Sequence, residues 1–266
     1  MTVGPIPKLG VGLAFQEELR PFLEARPETF DYLEVVPDIL WEDRGPDATP
    51  RYVDRPEGVA FLEGWRATRP VILHSIGLSI GSAERFDLDH VDHIARWYDW
   101  LRFPWHSDHL AFHLADGEGG EINAGLTLPL PRDPETLDLL IPRVAAVRKR
   151  VPVPFLLENS VAYFDLDEAV WEEPEFLNRV CASSGCGLLL DLHNLHVNCR
   201  NLGGDPHALL DRIDPANIVE IHVAGGMESP ISMPSWPRPR TRCNLNRGSS
   251  LPKATKLLPW DIIPSA

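Results

Sequence analysis

Side chains that can bind a metal ion stand at the ends of several apolar runs in the first 228 residues. His74 follows Val71–Leu73, and Asp191 follows Leu188–Leu190. Three further runs end in the same way, and they carry Asp108, His109, Glu158, Asn159, Glu220 and His222. A buried charge is costly unless it is paired or bound to a metal ion. Five runs that end alike therefore predict a shared metal site.

The types of these side chains limit which metal they suit. Imidazole and carboxylate groups together, without cysteine, favour iron, manganese or zinc over calcium or a thiolate-bound structural zinc. More than three candidate ligands indicate more than one ion.

The spacing of the runs predicts the elements that position these side chains. Short apolar runs alternate with helical patterns such as Leu137–Val147, which favours a parallel sheet. The predicted strands are Leu9–Phe15, Tyr32–Val36, Val71–Ser75, Trp105–Phe112, Pro154–Asn159, Leu188–Asp191 and Val219–Ala224. Strands of a (β/α)₈ barrel carry their active-site residues at one mouth, so we expect a TIM-type α/β barrel whose last strand and helix are missing or aberrant. A doubly wound open sheet is the alternative, but no GxGxxG follows the first strand.

Composition and charge exclude several other classes of protein. The net charge of −14 argues against a nucleic-acid-binding surface. No apolar run reaches 18 residues and no secretory signal opens the chain, so no membrane partner is predicted. Four cysteines without a CxxC pair fit a reducing compartment, and we predict a soluble cytoplasmic protein.

The sequence changes character near Ser229. Residues 1–228 hold 19 basic and 38 acidic side chains, whereas residues 229–266 hold six basic and one acidic side chain. Seven of the 26 prolines also fall in this last stretch. We therefore divide the chain into a barrel domain, 1–228, and a Pro/Arg-rich tail, 229–266, that is not part of the native fold. A flexible basic interaction arm is the alternative.

Several other residues are predicted to have structural roles. His90 and His93 lie in a predicted helix, Asp89–Leu101, and are expected to be exposed. Cys181, Cys186 and Cys199 are expected to be small buried apolar residues. Either His193 or Asn194, which follow Asp191, is expected to face the metal site.

Six segments, in this order along the chain, resemble the multinuclear non-heme iron-dependent oxidases. They are YLEVVPD (Tyr32–Asp38), LHSIGLSIGS (Leu73–Ser82), SDHLAF (Ser107–Phe112), LLENSVAYF (Leu156–Phe164), GCGLLLDLHNLHVN (Gly185–Asn198) and EIHVAGG (Glu220–Gly226). The resemblance implies a barrel with two or three irons of mixed Fe²⁺/Fe³⁺ state at its mouth and O₂ as co-substrate. It also implies oxidation of a ribosomally made precursor peptide, commonly at cysteine, with a partner protein that presents the peptide.

The resemblance also assigns roles to individual residues. It implies that His74, His109 and Glu158 bind one iron, with Glu158 able to bridge, and that Asp191 and His222 bind a second. Asp108, Asn159 and Glu220 would orient these ligands. The predicted catalytic residues are Glu158, Asp191, His193 and Asn194.

The chain departs from the family pattern after Gly226. The expected Asp-x-His segment is absent, and Pro259 stands where the last strand should carry an acidic residue. Two alternatives therefore accompany the oxidase prediction. One is a divalent-metal sugar isomerase or endonuclease-like barrel, and the other is an inactive, truncated family member.

Overall fold

The apolar runs of the sequence form a parallel sheet in the computed structural model, which describes residues 6–118, 120–164, 169–229 and 256–259. The strands are β1 Gly12–Ala14, β2 Tyr32–Val35, β3 Trp41–Asp43, β4 Tyr52–Asp54, β5 Val71–Ser75, β6 His106–His109, β7 Phe112–Gly117, β8 Gly120–Leu128, β9 Phe155–Glu158, β10 Gly187–Asp191, β11 Ile218–His222, β12 Gly226–Ser229 and β13 Lys256–Pro259. Seven of them make one sheet in the order β1-β2-β5-β6-β9-β10-β11, and every neighbouring pair is parallel.

This sheet curves so that side chains from strands near its two ends meet. Tyr32 on β2 donates a hydrogen bond from its hydroxyl to Oε1 of Glu220 on β11, at 2.8 Å, across a sequence separation of 188 residues. The predicted TIM-type α/β fold is confirmed. The seven parallel strands form the curved wall of a barrel. Among the described residues no eighth strand joins this sheet.

Helices connect the strands and cover the outer face of the sheet. They are α1 Arg20–Ala25, α2 Pro56–Arg66, α3 Leu88–Leu101, α4 Pro134–Arg150, α5 Glu173–Ser184, α6 Leu192–Leu202 and α7 Pro206–Leu210. Carboxylates accept backbone N–H groups at the starts of several helices, for example Asp133 at α4 and Asp191 at α6. Gly185 ends α5 in the left-handed region (φ 72°), which a residue without a Cβ adopts most readily.

Three short antiparallel pairs stand outside the main sheet: β3 with β4, β7 with β8, and β12 with β13. The predicted strand Trp105–Phe112 is therefore two elements, because the chain leaves β6 and enters the β7–β8 hairpin. Lys256–Pro259 pairs with β12 rather than with β11. Apart from Ser229 and these four residues, the predicted tail 229–266 lies outside the described residues, and the proposed domain boundary stays a prediction.

The prediction that His90 and His93 are exposed is wrong. Both face the core from α3, with 3% and 2% of their surface exposed. His90 Nε2 lies 2.8 Å from Oδ1 of Asp38, and His93 Nε2 lies 2.8 Å from Oδ1 of Asp54. Each histidine can be buried because it pairs with a carboxylate that lies more than 35 residues away in sequence. The three cysteines in the described residues are buried, as predicted.

None of the helices in the described residues combines the length and the apolar character that crossing a membrane requires.

Candidate metal centre

The pleat of the strands places the candidate ligands in one layer inside the curved sheet. Ile72, Leu156 and Leu189 pack with Trp105 in a small apolar cluster. Alternate residues of a strand point to the same face, so the next residues on that face lie one layer further along. The residues two positions further along the same three strands are His74, Glu158 and Asp191. The register then sets His109 beside Glu158, and Asp191 beside His222.

Glu158 lies at the centre of this layer and is almost completely buried. Its Oε2 atom is 3.1 Å from Nε2 of His74 and 3.2 Å from Nε2 of His109. Its Oε1 atom is 3.6 Å from Nδ1 of His222 and 3.4 Å from Nδ2 of Asn194. One carboxylate therefore faces three imidazoles, with one oxygen turned towards each side of the cluster.

These side chains form two overlapping groups whose ligand atoms lie within 4.8 Å of one another. The first is His74, His109 and Glu158, and the second is Glu158, Asp191 and His222. Because Glu158 belongs to both groups, it can bridge two ions. The structure thus brings together all five residues predicted as ligands, while their binding of metal stays a prediction.

The donor set fits a pair of transition-metal ions. It combines imidazole nitrogens with carboxylate oxygens and has no thiolate. Oε2 of Glu158 is buried and has no hydrogen bond of acceptable geometry in the described part of the chain, although two imidazole nitrogens lie close to it. A cation between these three atoms would satisfy the oxygen and both nitrogens.

Comparisons with known proteins show the family to which this chain belongs. The sequence model of a family described as "RiPP precursor modification enzyme MbnB/TglH/ChrH" matches residues 9–233. The chain belongs to this family. It is 30% identical over 225 residues to a UPF0276 protein of Caulobacter vibrioides, which covers 85% of this chain and 75% of the relative. A UPF0276 protein of Chromobacterium violaceum is 34% identical over 219 residues, covering 82% of this chain and 73% of the relative.

A solved structure supports the fold of this family member. The apo form of 3-keto-D-glucoside 4-epimerase, YcjR, from E. coli superposes with a TM-score of 0.51 at 16% identity. The match covers 82% of this chain and 80% of the epimerase. At this level of identity the likeness shows a shared barrel architecture and no more.

Neighbouring polar groups orient the candidate ligands of this family member. Oγ of Ser107 lies 2.8 Å from Nδ1 of His74, so the other ring nitrogen, Nε2, is the one that faces Glu158. The amide of Asn159 bonds the backbone of Asp191 twice, donating to its carbonyl at 3.0 Å and accepting from its N–H at 2.8 Å. Such contacts fix the direction of a metal ligand.

The other two residues predicted to orient ligands are also buried. Asp108 accepts the backbone N–H of His109 at 2.7 Å. Glu220 accepts hydrogen bonds from Tyr32 and from Nε1 of Trp105, the latter at 2.6 Å.

The cluster perturbs the protonation of its own members. Burial alone raises the pKa of Glu158, but His109 and His74 outweigh burial and hold that pKa well below its usual range. Burial lowers the pKa of His74, yet Glu158 raises it to about 9; Glu34 and Glu158 likewise raise the pKa of His222 to about 12. At neutral pH both imidazoles are therefore in the cationic form in the metal-free centre, and a metal ion must displace one proton from each.

Burial is the main cause of the pKa shifts of the other two ligands, His109 and Asp191. Burial lowers the pKa of His109 to about 4, which leaves this imidazole neutral at physiological pH. Burial and the neighbouring charge of Glu158 raise the pKa of Asp191 to about 7. Strongly perturbed groups that share one buried cluster are typical of functional sites.

His193 and Asn194, which follow Asp191 and Leu192, differ in their positions. Asn194 is buried in the first turn of α6, where it approaches Glu158 and also donates from Nδ2 to the backbone oxygen of Asn159 at 3.0 Å. His193 is half-buried and belongs to none of the groups of possible ligands in the described residues. Asn194 is thus the residue of this pair that faces the site, and the catalytic role predicted for His193 stays untested.

Glu34 is a member of the site that was not among the predicted residues. This residue lies on β2 with 4% of its surface exposed, and its Oε2 atom is 3.0 Å from Nε2 of His222. It also forms a third group of possible ligand atoms with Glu220 and His222. The available signal was a carboxylate in the middle of the apolar strand YLEVV, since an unpaired charge there would be costly.

Proposed function

We propose that this chain is an iron- and O₂-dependent oxidase that modifies cysteine residues of a ribosomally made precursor peptide, which a partner protein presents. Membership in a family of precursor-modifying enzymes supports the substrate class. The observation that carries the proposal of a multinuclear centre is the sharing of Glu158 between two ligand groups. A single-metal hydrolase or isomerase would not need a buried carboxylate with one oxygen turned to each group.

In this proposal the first ion is held by His74, His109 and Glu158, and the second by Glu158, Asp191 and His222. Iron bound there would supply one-electron and O₂ chemistry that no side chain of the protein can provide. The protein contributes fixed ligands, and a small apolar cluster packs beneath them inside the barrel.

The accessible side of the centre indicates where a peptide would approach. The side chain of Glu158 is 3% exposed, whereas those of His109 and His222 are 17% and 21% exposed. Both histidines stand at the carboxyl ends of their strands, which is the mouth of a barrel. A cysteine side chain entering the mouth would therefore meet the two ion positions from the His109–His222 side, with Glu158 behind them.

The proposal is tested by co-producing the chain with cysteine-containing candidate precursor peptides and following each peptide by mass spectrometry. We expect a change in the mass of the modified peptide that requires iron and O₂. The change should be lost in His74→Ala and kept in His207→Ala, whose histidine lies exposed on α7. A modification that proceeds without O₂, or that survives His74→Ala, would contradict the proposal.

A further inference from the structure

Glu34 contacts the nitrogen of His222 that faces away from Glu158. The imidazole of His222 lies between two carboxylates, with Nε2 at 3.0 Å from Oε2 of Glu34 and Nδ1 at 3.6 Å from Oε1 of Glu158. The first distance is a hydrogen bond and the second is not. Glu34 and His222 come from β2 and β11, which are 188 residues apart in sequence.

This arrangement decides which ring nitrogen of His222 can bind a metal ion. A neutral imidazole carries its proton on one nitrogen and offers a lone pair from the other, and the hydrogen bond made by the first sets the choice. Glu34 can only accept here, so the proton lies on Nε2. Nδ1 then presents its lone pair towards Oε1 of Glu158. His222 forms a group of possible ligands with Glu158 and Asp191.

The carboxylate of Glu34 is buried next to a second carboxylate. It lies beside Glu220, and an oxygen of each carboxylate and a ring nitrogen of His222 lie within 4.8 Å of one another. Glu220 is fixed by Tyr32 through one oxygen and by Trp105 through the other. These residues line the inside of the barrel beneath the candidate metal centre, and together they make a rigid support for the imidazole ring.

A competing interpretation is that Glu34, Glu220 and His222 bind an additional ion. Both oxygens of Glu220 already accept hydrogen bonds, and Oε2 of Glu34 already accepts one from His222. An ion at this position would have to break these bonds, so the contacts favour an orienting role for Glu34.

We propose that Glu34 is a positioning residue that keeps the proton of His222 on Nε2, so that Nδ1 binds the ion shared with Glu158 and Asp191. The inference rests on the metal centre of the proposed function. It adds a residue and a specific ring nitrogen to that centre. Outer partners of this kind typically change metal affinity by about 10- to 100-fold.

The first test is an anaerobic Fe²⁺ titration of metal-free protein. We expect Glu34→Ala to weaken one ion by about 10- to 100-fold and to leave the other ion, bound by His74 and His109, unchanged. Glu34→Gln, whose amide oxygen can still accept from Nε2–H, should lose less. In a His222→Ala background, Glu34→Ala should cause no further loss, because the residue through which it acts is gone.

Other outcomes of the titration would overturn the inference. An unchanged affinity in Glu34→Ala, or an equal loss with and without His222, would show that Glu34 does not act through this histidine. Loss of a whole ion at saturating iron would make Glu34 a ligand. His207→Ala is the control, since this histidine lies exposed on α7, and its iron affinity should match the wild type.

The second test reads the ring nitrogen directly and does not need Glu34→Ala to fold. Nitrogen-15 NMR of the Zn²⁺-loaded wild type should show His222 with metal on Nδ1 and a proton on Nε2. The opposite assignment would overturn the inference. A protein that binds no metal contradicts the proposed function itself, whereas metal binding that ignores Glu34 contradicts only the inference, and neither readout depends on oxidase activity.

Discussion

Replacing Glu158 with glutamine tests whether one carboxylate serves two ions. The substitution keeps the size of the side chain but removes the negative charge that faces His74, His109 and His222 at 3.1, 3.2 and 3.6 Å. Outer partners of a ligand already change affinity by about 10- to 100-fold, so loss of a ligand charge should weaken both ions by more than about 100-fold, or about 2.7 kcal/mol.

The same substitution should also affect the metal-free protein. Glu158 is the largest cause that raises the pKa of His74, from 6.5 in the unfolded chain to about 9 in the folded protein. Because the pKa of His74 is higher in the folded than in the unfolded protein, protonation of His74 stabilises the fold. This contribution is complete below pH 6.5 and is lost as the pH rises through about 9. At pH 7 it corresponds to an upper limit of about 2–3 kcal/mol, which Glu158→Gln should reduce.

Both effects can be measured with standard methods. An anaerobic Fe²⁺ titration followed by gel filtration and elemental analysis gives the iron retained per chain. Urea unfolding of the metal-free protein at pH 7 and pH 9.5 gives the stability, and the difference between variant and wild type should shrink at the higher pH. A Glu158→Gln protein that keeps either iron with wild-type affinity would refute the bridging role.

Three further predictions follow from the same contacts. Asp191→Asn should weaken only the ion shared with His222, by at least about 10-fold, and the titration described above should show one tight iron; loss of both would contradict the division into two groups. Iron affinity should rise with pH between 6 and 8, by up to about 10-fold per pH unit for each proton displaced from His74 and His222. An affinity that calorimetry finds independent of pH would contradict the prediction that both histidines are cationic in the metal-free protein. Asn159→Ala removes two hydrogen bonds to the backbone of Asp191 and should cost about 1–3 kcal/mol in urea unfolding, together with weaker iron binding; unchanged values for both would show that Asn159 does not orient Asp191.

The strand-end ligands could be predicted from sequence because each one directly follows an apolar run. The end of such a run marks the end of a buried strand, and parallel strands end on the same side of the sheet. This reasoning predicts His74, Glu158 and Asp191. The structure adds the register, which the sequence does not contain, and the register makes Glu158 the shared residue.

Residues whose partners lie far away in sequence could not be predicted in the same way. Glu34 reads as one polar residue in an apolar strand until His222 is placed beside it. His90 and His93 read as the exposed side of a helix until Asp38 and Asp54 are found against them. In each case the partner that compensates the cost of burying the polar side chain is distant in sequence.

The most direct test of the account is the number and coupling of irons in the wild-type chain, purified anaerobically with Fe²⁺ and examined by elemental analysis and Mössbauer spectroscopy. We predict at least two irons per chain, two of them magnetically coupled through the carboxylate of Glu158. A folded chain that holds a single iron, or none, would contradict a bridged multinuclear centre.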